Sequence, residues 1–165
     1  MRKLITAALL LTSLLALAAC GDSQEPEETE NANMGNPWVD CATLEEAADL
    51  AGFSIAVPDR IEGYPNTFIQ AVENSMIQVF YCETDPGDGS RVLVRKGVGT
   101  DDISGDYGEY SEVEIAALHG VDVTLKGEEG LVYTETWTQD GYAYSVSADA
   151  GMSRDQAESL VELVK

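Results

Sequence analysis

The chain has one histidine, His119, and only 9 Lys and Arg against 30 Asp and Glu. The shortage of base excludes nucleic acid as a partner, because a net charge of −21 repels a phosphate backbone. The shortage of histidine narrows catalysis. A Ser-His-Asp triad would have to use His119, which stands beside Gly120 in an expected hairpin turn with no nucleophile elbow near it. One His and two distant Cys cannot build a zinc cluster. Carboxylates are so abundant that a glycosidase-like pair carries no information without geometry. The chain also lacks internal repeats, and after residue 36 it lacks a second linker.

What is present is concentrated at the start. Arg2 and Lys3 precede an apolar stretch from Leu4 to Ala19, and Leu17-Ala18-Ala19-Cys20 closes it. A charged n-region, an apolar h-region and small residues before the cut make a secretory signal. A Cys just after the small residues makes the lipoprotein form. The expectation is therefore a cleaved signal peptide over 1–19 and a lipidated Cys20. The apolar run is shorter than the roughly 20 residues of a membrane span. Two or more acyl chains hold a protein on a membrane stably, so the mature chain is expected on the extracytoplasmic face of the cell membrane, anchored by lipid.

Removing Arg2 and Lys3 leaves 7 bases and all 30 acids, a net charge of −23. Anionic lipid heads repel such a chain, which leaves the anchor as its main membrane contact. Residues 20–36 carry five acids, no base and no aromatic side chain, the composition of a disordered tether. A 16-residue flexible chain spans about 20–24 Å. With Cys20 spent on lipid, Cys41 and Cys82 remain in a disulfide-permissive compartment. They either join, closing a loop worth roughly 4 kcal/mol, or stay as two small apolar thiols.

Residues 37–165 suit a single domain. Thr43-Leu-Glu-Glu46 is a capping box, with Leu44, Ala47, Ala48 and Ala51 on one face and Gly52 as the stop, predicting a helix over 43–51. From Thr67 the apolar period becomes two, predicting strands at 67–73, 75–83, 90–96, 111–117, 120–126, 130–137 and 141–147. Turn residues separate them, including Glu73-Asn74, Asp85 to Gly89, His119-Gly120 and Asp140-Gly141. Ser153-Arg-Asp-Gln156 opens a last helix striped with Ala157, Leu160, Val161 and Val164. The expected fold is α+β: an antiparallel meander of about seven strands, covered on one face by an N-terminal and a C-terminal helix.

The longest irregular stretch, 97–110, holds Asp101, Asp102, Ser104, Asp106 and Glu109. These oxygens make it a candidate binding loop with weak Ca²⁺ affinity. It departs from the EF-hand pattern, since its glycine falls one position late and Val113 stands where the twelfth-position acid belongs. It is no phosphate loop, because it has no Lys after its glycines. Tyr133, Trp137, Tyr142 and Tyr144 gather on the last hairpin, either as cross-strand packing or as an aromatic ligand surface.

Over about residues 36–165 the chain resembles a family of bacterial extracytoplasmic domains known as domain of unknown function 4367. The carriers are Asn36-Pro37-Trp-Val, TLEEAADLAGFSIAVP (43–58), KGVGTDDISGDYGEY (96–110), VDVTLKG (121–127), and Trp137 with Tyr142-Ala-Tyr-Ser145 before Gly151. Members stand in lipoproteins and at the outer ends of membrane proteins, some similar to anti-sigma factors, mainly in Gram-positive bacteria. The resemblance implies no catalytic activity, cofactor or ligand, and it makes 96–110 the first candidate for a working surface. Cys41 and Cys82 fall outside its pattern. The resulting expectation is a monomeric, non-enzymatic domain that binds or senses an extracytoplasmic protein or peptide. The alternatives are an envelope-assembly accessory or carrier with an apolar cavity between sheet and helices, and, third, a hydrolase.

Overall fold

The structure, a computed structural model, describes residues 35–84 and 89–165. The expected signal peptide, the lipidation site Cys20 and the tether up to residue 34 lie outside the described residues, as do 85–88 of one turn. Eight strands form one antiparallel sheet: β1 (Val39–Cys41), β2 (Asn66–Val72), β3 (Met76–Cys82), β4 (Arg91–Val98), β5 (Glu112–Leu118), β6 (Val121–Glu128), β7 (Leu131–Gln139) and β8 (Tyr142–Met152). Helix α1 (Leu44–Ala51) follows β1, and α2 (Arg154–Leu163) follows β8. Seven strands are those the alternation predicts. The addition is β1, which places Val39, Asp40 and Cys41 opposite Ala71, Gln70 and Ile69.

The capping signals act as read. The Thr43 side chain accepts from Glu46 N–H, and Gly52 ends α1 at φ 80°. The Glu46 carboxylate reaches back one residue further than the cap, to Ala42 N–H at 2.8 Å. Ser153 and Gln156 form the full reciprocal box at α2. His119-Gly120, Glu129-Gly130 and Asp140-Gly141 all have positive φ. That is the two-residue hairpin geometry whose twist matches the flanking strands.

The strand order is β1-β2-β3-β4-β8-β7-β6-β5. Two four-strand meanders are joined where β4 pairs with β8, with Val94 opposite Val146. After β4 the chain therefore leaves the middle of the sheet, re-enters at the far edge as β5 and works back. Segment 99–111 makes that crossing. One glycine is demanded by packing along the way. A Cβ on Gly127, at a register shift between β6 and β7, would lie 2.0 Å from Leu131 O.

Alternation gives the sheet an inner face of Ile77, Val79, Tyr81, Val92, Val94, Val123, Leu125, Val146 and Ala148, all buried. Ala47 and Ala51 of α1 and Ala157, Leu160 and Val161 of α2 pack on it. Both helices thus cover one face, and full burial of each larger apolar side chain contributes about 1.5–3 kcal/mol. Segment 53–65 fills the gap between the helices. Ala56 and Lys165 exchange two backbone hydrogen bonds, and Tyr81 donates to Pro58 O. Trp137 stacks on its cross-strand partner Tyr144, centroids 5.2 Å apart and 3° from parallel. The hairpin aromatics thus include a register-pinning pair on the inner face.

Two charged residue types enter this interior. Lys96, 8 % exposed, donates to Ser54 O at 2.8 Å and lies 4.6 Å from the Tyr142 ring centre, 5.3 Å from Tyr144 and 5.7 Å from Phe53. The ring faces offset part of its desolvation. Burial still lowers its pKa, with Asp140 opposing. Glu135 is fully buried between Leu125 and Val146, and among the described residues neither carboxyl oxygen has a hydrogen-bond partner. Burial pushes its carboxyl well above its ordinary value of 4.5, against the pull of Arg154. Burial thus favours the protonated form inside the fold.

Cys41 and Cys82 are both free thiols, so the bridge left open by the sequence is not formed. Cys41 shares the inner-face row of Ile69, while alternation turns Cys82 to the opposite face. Two strand spacings and three residues separate them, roughly 14 Å, against a Cα limit of about 7 Å for a disulfide. Burial raises the pKa of both thiols, which makes them poor nucleophiles.

Two outcomes follow from these placements. Unfolding the chain without reductant in the presence of an alkylating agent should label both Cys41 and Cys82 by mass, and a species with neither labelled would overturn the free-thiol assignment. Glu135→Met should raise stability by about 1–3 kcal/mol at pH 7, since it removes an unpartnered buried polar group. Above its ordinary pKa the unfolded chain ionises Glu135 while the folded chain resists, so the wild type loses stability as pH rises. The variant's advantage in urea unfolding should therefore widen from pH 5 to pH 8, and an advantage that stays flat would contradict the buried neutral acid.

Candidate functional site

The outer face of the sheet mixes polar rows with a row of Phe68, Phe80 and Leu93, and segment 99–111 crosses it. The crossing is held by a ladder of i to i+2 links. The Asp102 carboxylate accepts from Ser104 N–H at 2.9 Å and Ser104 Oγ at 2.6 Å, and Ser104 Oγ accepts from Asp106 N–H at 3.2 Å. Asp106 Oδ1 then accepts from Gly108 N–H at 2.8 Å. These are the local side-chain to backbone bonds that short polar residues offer an irregular chain. The ladder is pinned to the sheet at both ends. Lys126 of β6 pairs with Asp102 at 3.1 Å, and Asp106 Oδ2 accepts from Thr134 of β7 and from Tyr110 at 2.7 Å. Burial would raise the Asp106 carboxyl, but the bonds from Thr134, Gly108 and Tyr110 outweigh it and hold it below the usual carboxylate range. Asp102 behaves alike: its bonds from Ser104 and Lys126 outweigh burial and lower it.

The second anchor is Arg95 of β4. Its Nη1 donates to Ile103 O at 2.9 Å and Ser104 O at 2.8 Å, capturing the crossing backbone. Its Nε donates to Gln78 Oε1 at 3.0 Å. Gln78 donates on to Gln70 at 2.6 Å, and Gln70 to Asp40 at 2.7 Å. These four side chains are one register row across β4, β3, β2 and β1. The Trp38 ring lies 5.9 Å from the guanidinium. The positive φ of 68° at Gly105 lets the chain turn here, where a Cβ would approach Arg95 Nη1 to 3.0 Å.

Between the crossing and the sheet lies an open cleft of about 430 Å³. Leu93 and Ser147 form part of its lining on the sheet side, and Tyr110 and Tyr133 form a wall with rings 5.9 Å apart. Arg91 and Asp149, paired at 3.3 Å, also line it. Ser147 Oγ is buried beside it with no hydrogen-bond partner among the described residues. Among the described residues no carboxylate lies within ion-pairing distance of Arg95, and its Nη2 makes no hydrogen bond. Burial, then repulsion from Arg91, lowers the pKa of Arg95.

The sequence-predicted loop residues divide in this arrangement. Asp102, Ser104 and Asp106 are brought together, but their oxygens are engaged by the loop and the sheet. Asp101 and Glu109 stay exposed. Among the described residues no three of His, Cys, Asp and Glu come together as a metal site. His119 is exposed at the β5–β6 turn with φ 49°. Arg91, Arg95, Ser147 and Thr134 escaped the sequence reading: the β4–β8 pairing brings Arg91 and Arg95 to Ser147 from far along the chain, and Thr134 joins them from β7.

No family model matches the chain, and neither a curated protein nor a solved structure matches it.

Asp106→Ala removes the acceptor for three donors at once. It should cost about 1.5–3 kcal/mol in urea unfolding, the range for hydrogen bonds to a charged group. It should also speed proteolytic nicking near Tyr107, the 95 % exposed side chain of the crossing. Wild-type stability with unchanged nicking would show that the ladder does not hold the segment.

Proposed function

We propose that the chain is a lipid-anchored lipoprotein of the extracytoplasmic face, and that its folded part is a non-enzymatic binding domain working through the cleft under the crossing. Residues 2–20 support the address. The observation that carries the binding reading is the cleft itself: a concave site fixed on two sides by Asp106 and Arg95, with a buried Ser147 hydroxyl left without a partner. Pre-formed concavity with a few convergent polar groups is the usual character of a ligand site. Lasting acidity elsewhere keeps the domain soluble and separate from anionic surfaces.

A second reading, an accessory carrier in envelope assembly, draws on an open groove of about 380 Å³ beside α2. Ile61, Tyr64, Met152, Leu160 and Leu163 line it. The two readings use different surfaces and can be separated.

Labelled-lipid incorporation should be lost in Cys20→Ala, and unchanged labelling would sink the anchor. For the binding surface, amide NMR of the full chain titrated with phenol and N-methylacetamide should shift Gly105, Asp106 and Ser147 first. Shifts confined to Ile61, Met152 and Leu163 would move the working surface to the groove.

A further inference from the structure

The cleft combines two groups that are individually unusual. Arg95 is held by four contacts but has no counter-ion among the described residues. By hydrogen bonds Asp102 is one residue away, through Ser104, and Asp40 two, through Gln78 and Gln70, and neither carboxylate touches the guanidinium. Ser147 Oγ, two residues along β8 from the Ser145 that faces Arg95, is a buried hydroxyl with nothing to bond. A guanidinium with a free nitrogen, and an orphan hydroxyl that a χ1 turn of the half-buried Ser147 would present to the same cleft, are the donors that an oxyanion accepts.

The surroundings choose among oxyanions. Asp106 and Asp149 also line the cleft, and the chain as a whole is strongly negative. A doubly charged phosphate would meet that repulsion in full, whereas a single negative charge spread over two oxygens meets less of it. The Tyr110 and Tyr133 rings offer a flank for an apolar or aromatic body.

We infer that the cleft binds a small monocarboxylate with an apolar or aromatic body, its carboxylate taken by Arg95 Nη2 and Ser147 Oγ and its body lying against Tyr110 and Tyr133. This rests on the cleft being the working surface. The ligand could be a free organic acid or the C-terminus of a peptide, since both present the same group.

The test uses the purified full chain and four probes followed by NMR: benzoate, benzamide, inorganic phosphate, and N-acetylphenylalanine as a mimic of a peptide end. Benzoate should bind at the cleft about tenfold tighter than benzamide, the scale of one charged hydrogen bond. Phosphate should compete poorly. N-acetylphenylalanine binding tighter than benzoate would mark a peptide end, and the reverse a free acid. Arg95→Gln should erase the benzoate preference. Because Arg95 also holds the crossing, Ser147→Val provides the independent variant: it leaves the crossing's bonds intact and should weaken benzoate severalfold. Equal affinity for benzoate and benzamide, or phosphate competing as well as benzoate, would overturn the inference. Phenol bound at the cleft without any preference for carboxylate would overturn it while leaving the working surface in place.

Discussion

The crossing from β4 to β5 is the constraint on which the outer face depends. Pairing β4 with β8 forces the chain past three strands, about 19 Å from strand to strand. An irregular segment laid on a sheet must satisfy its own backbone groups. Here Asp102, Ser104 and Asp106 do so in two-residue steps, and Arg95 takes two carbonyls that have no strand partner. The cleft is a by-product of that solution. It is the space left where a chain held at Asp106 and Arg95 stands off from Leu93 and Ser147.

The two faces treat charge differently. On the outer face polar side chains lie in continuous rows, as from Asp40 to Arg95. On the inner face charge is isolated: Lys96 is surrounded by rings, and Glu135 has no partner. Lys96 is compensated because Phe53, Tyr142 and Tyr144 turn electron-rich faces toward it. Glu135 has only neutralisation by a proton to limit the cost of burial. Helix α2 lies over this part of the sheet, and Arg154 at its start is occupied with Glu114 and Glu158 instead.

Much of the fold was legible because its rules are local. Thr43, Gly52 and Ser153 act within one turn of a helix, and Asn74, His119 and Asp140 take the positive φ that their positions in tight turns require. Alternation along β7 sets Glu135 and Trp137 on one face but does not say which face is covered. Strand β1 escaped because three residues are too few to show a period. The β4–β8 junction escaped for a different reason. Residues such as Leu93 and Ser147 meet only after the far meander has folded back, so no window of sequence contains both. Of the candidate loop, the short oxygens Asp102, Ser104 and Asp106 were legible, while their role as internal braces was not. That role depends on Lys126 and Thr134 arriving from other strands.

The chain has two tryptophans, and the fold has put one on each side of the sheet. Trp137 is buried in the inner layer against Tyr144, while Trp38 lies half-buried over Arg95 on the outer layer. Their fluorescence therefore reports two separate events. Loosening of the crossing and its arginine anchor alters the emission of Trp38 alone, whereas opening of the core alters Trp137. A single-tryptophan pair of variants would turn the native chain into its own two-channel optical sensor, able to tell a disturbed binding face from an unfolding protein.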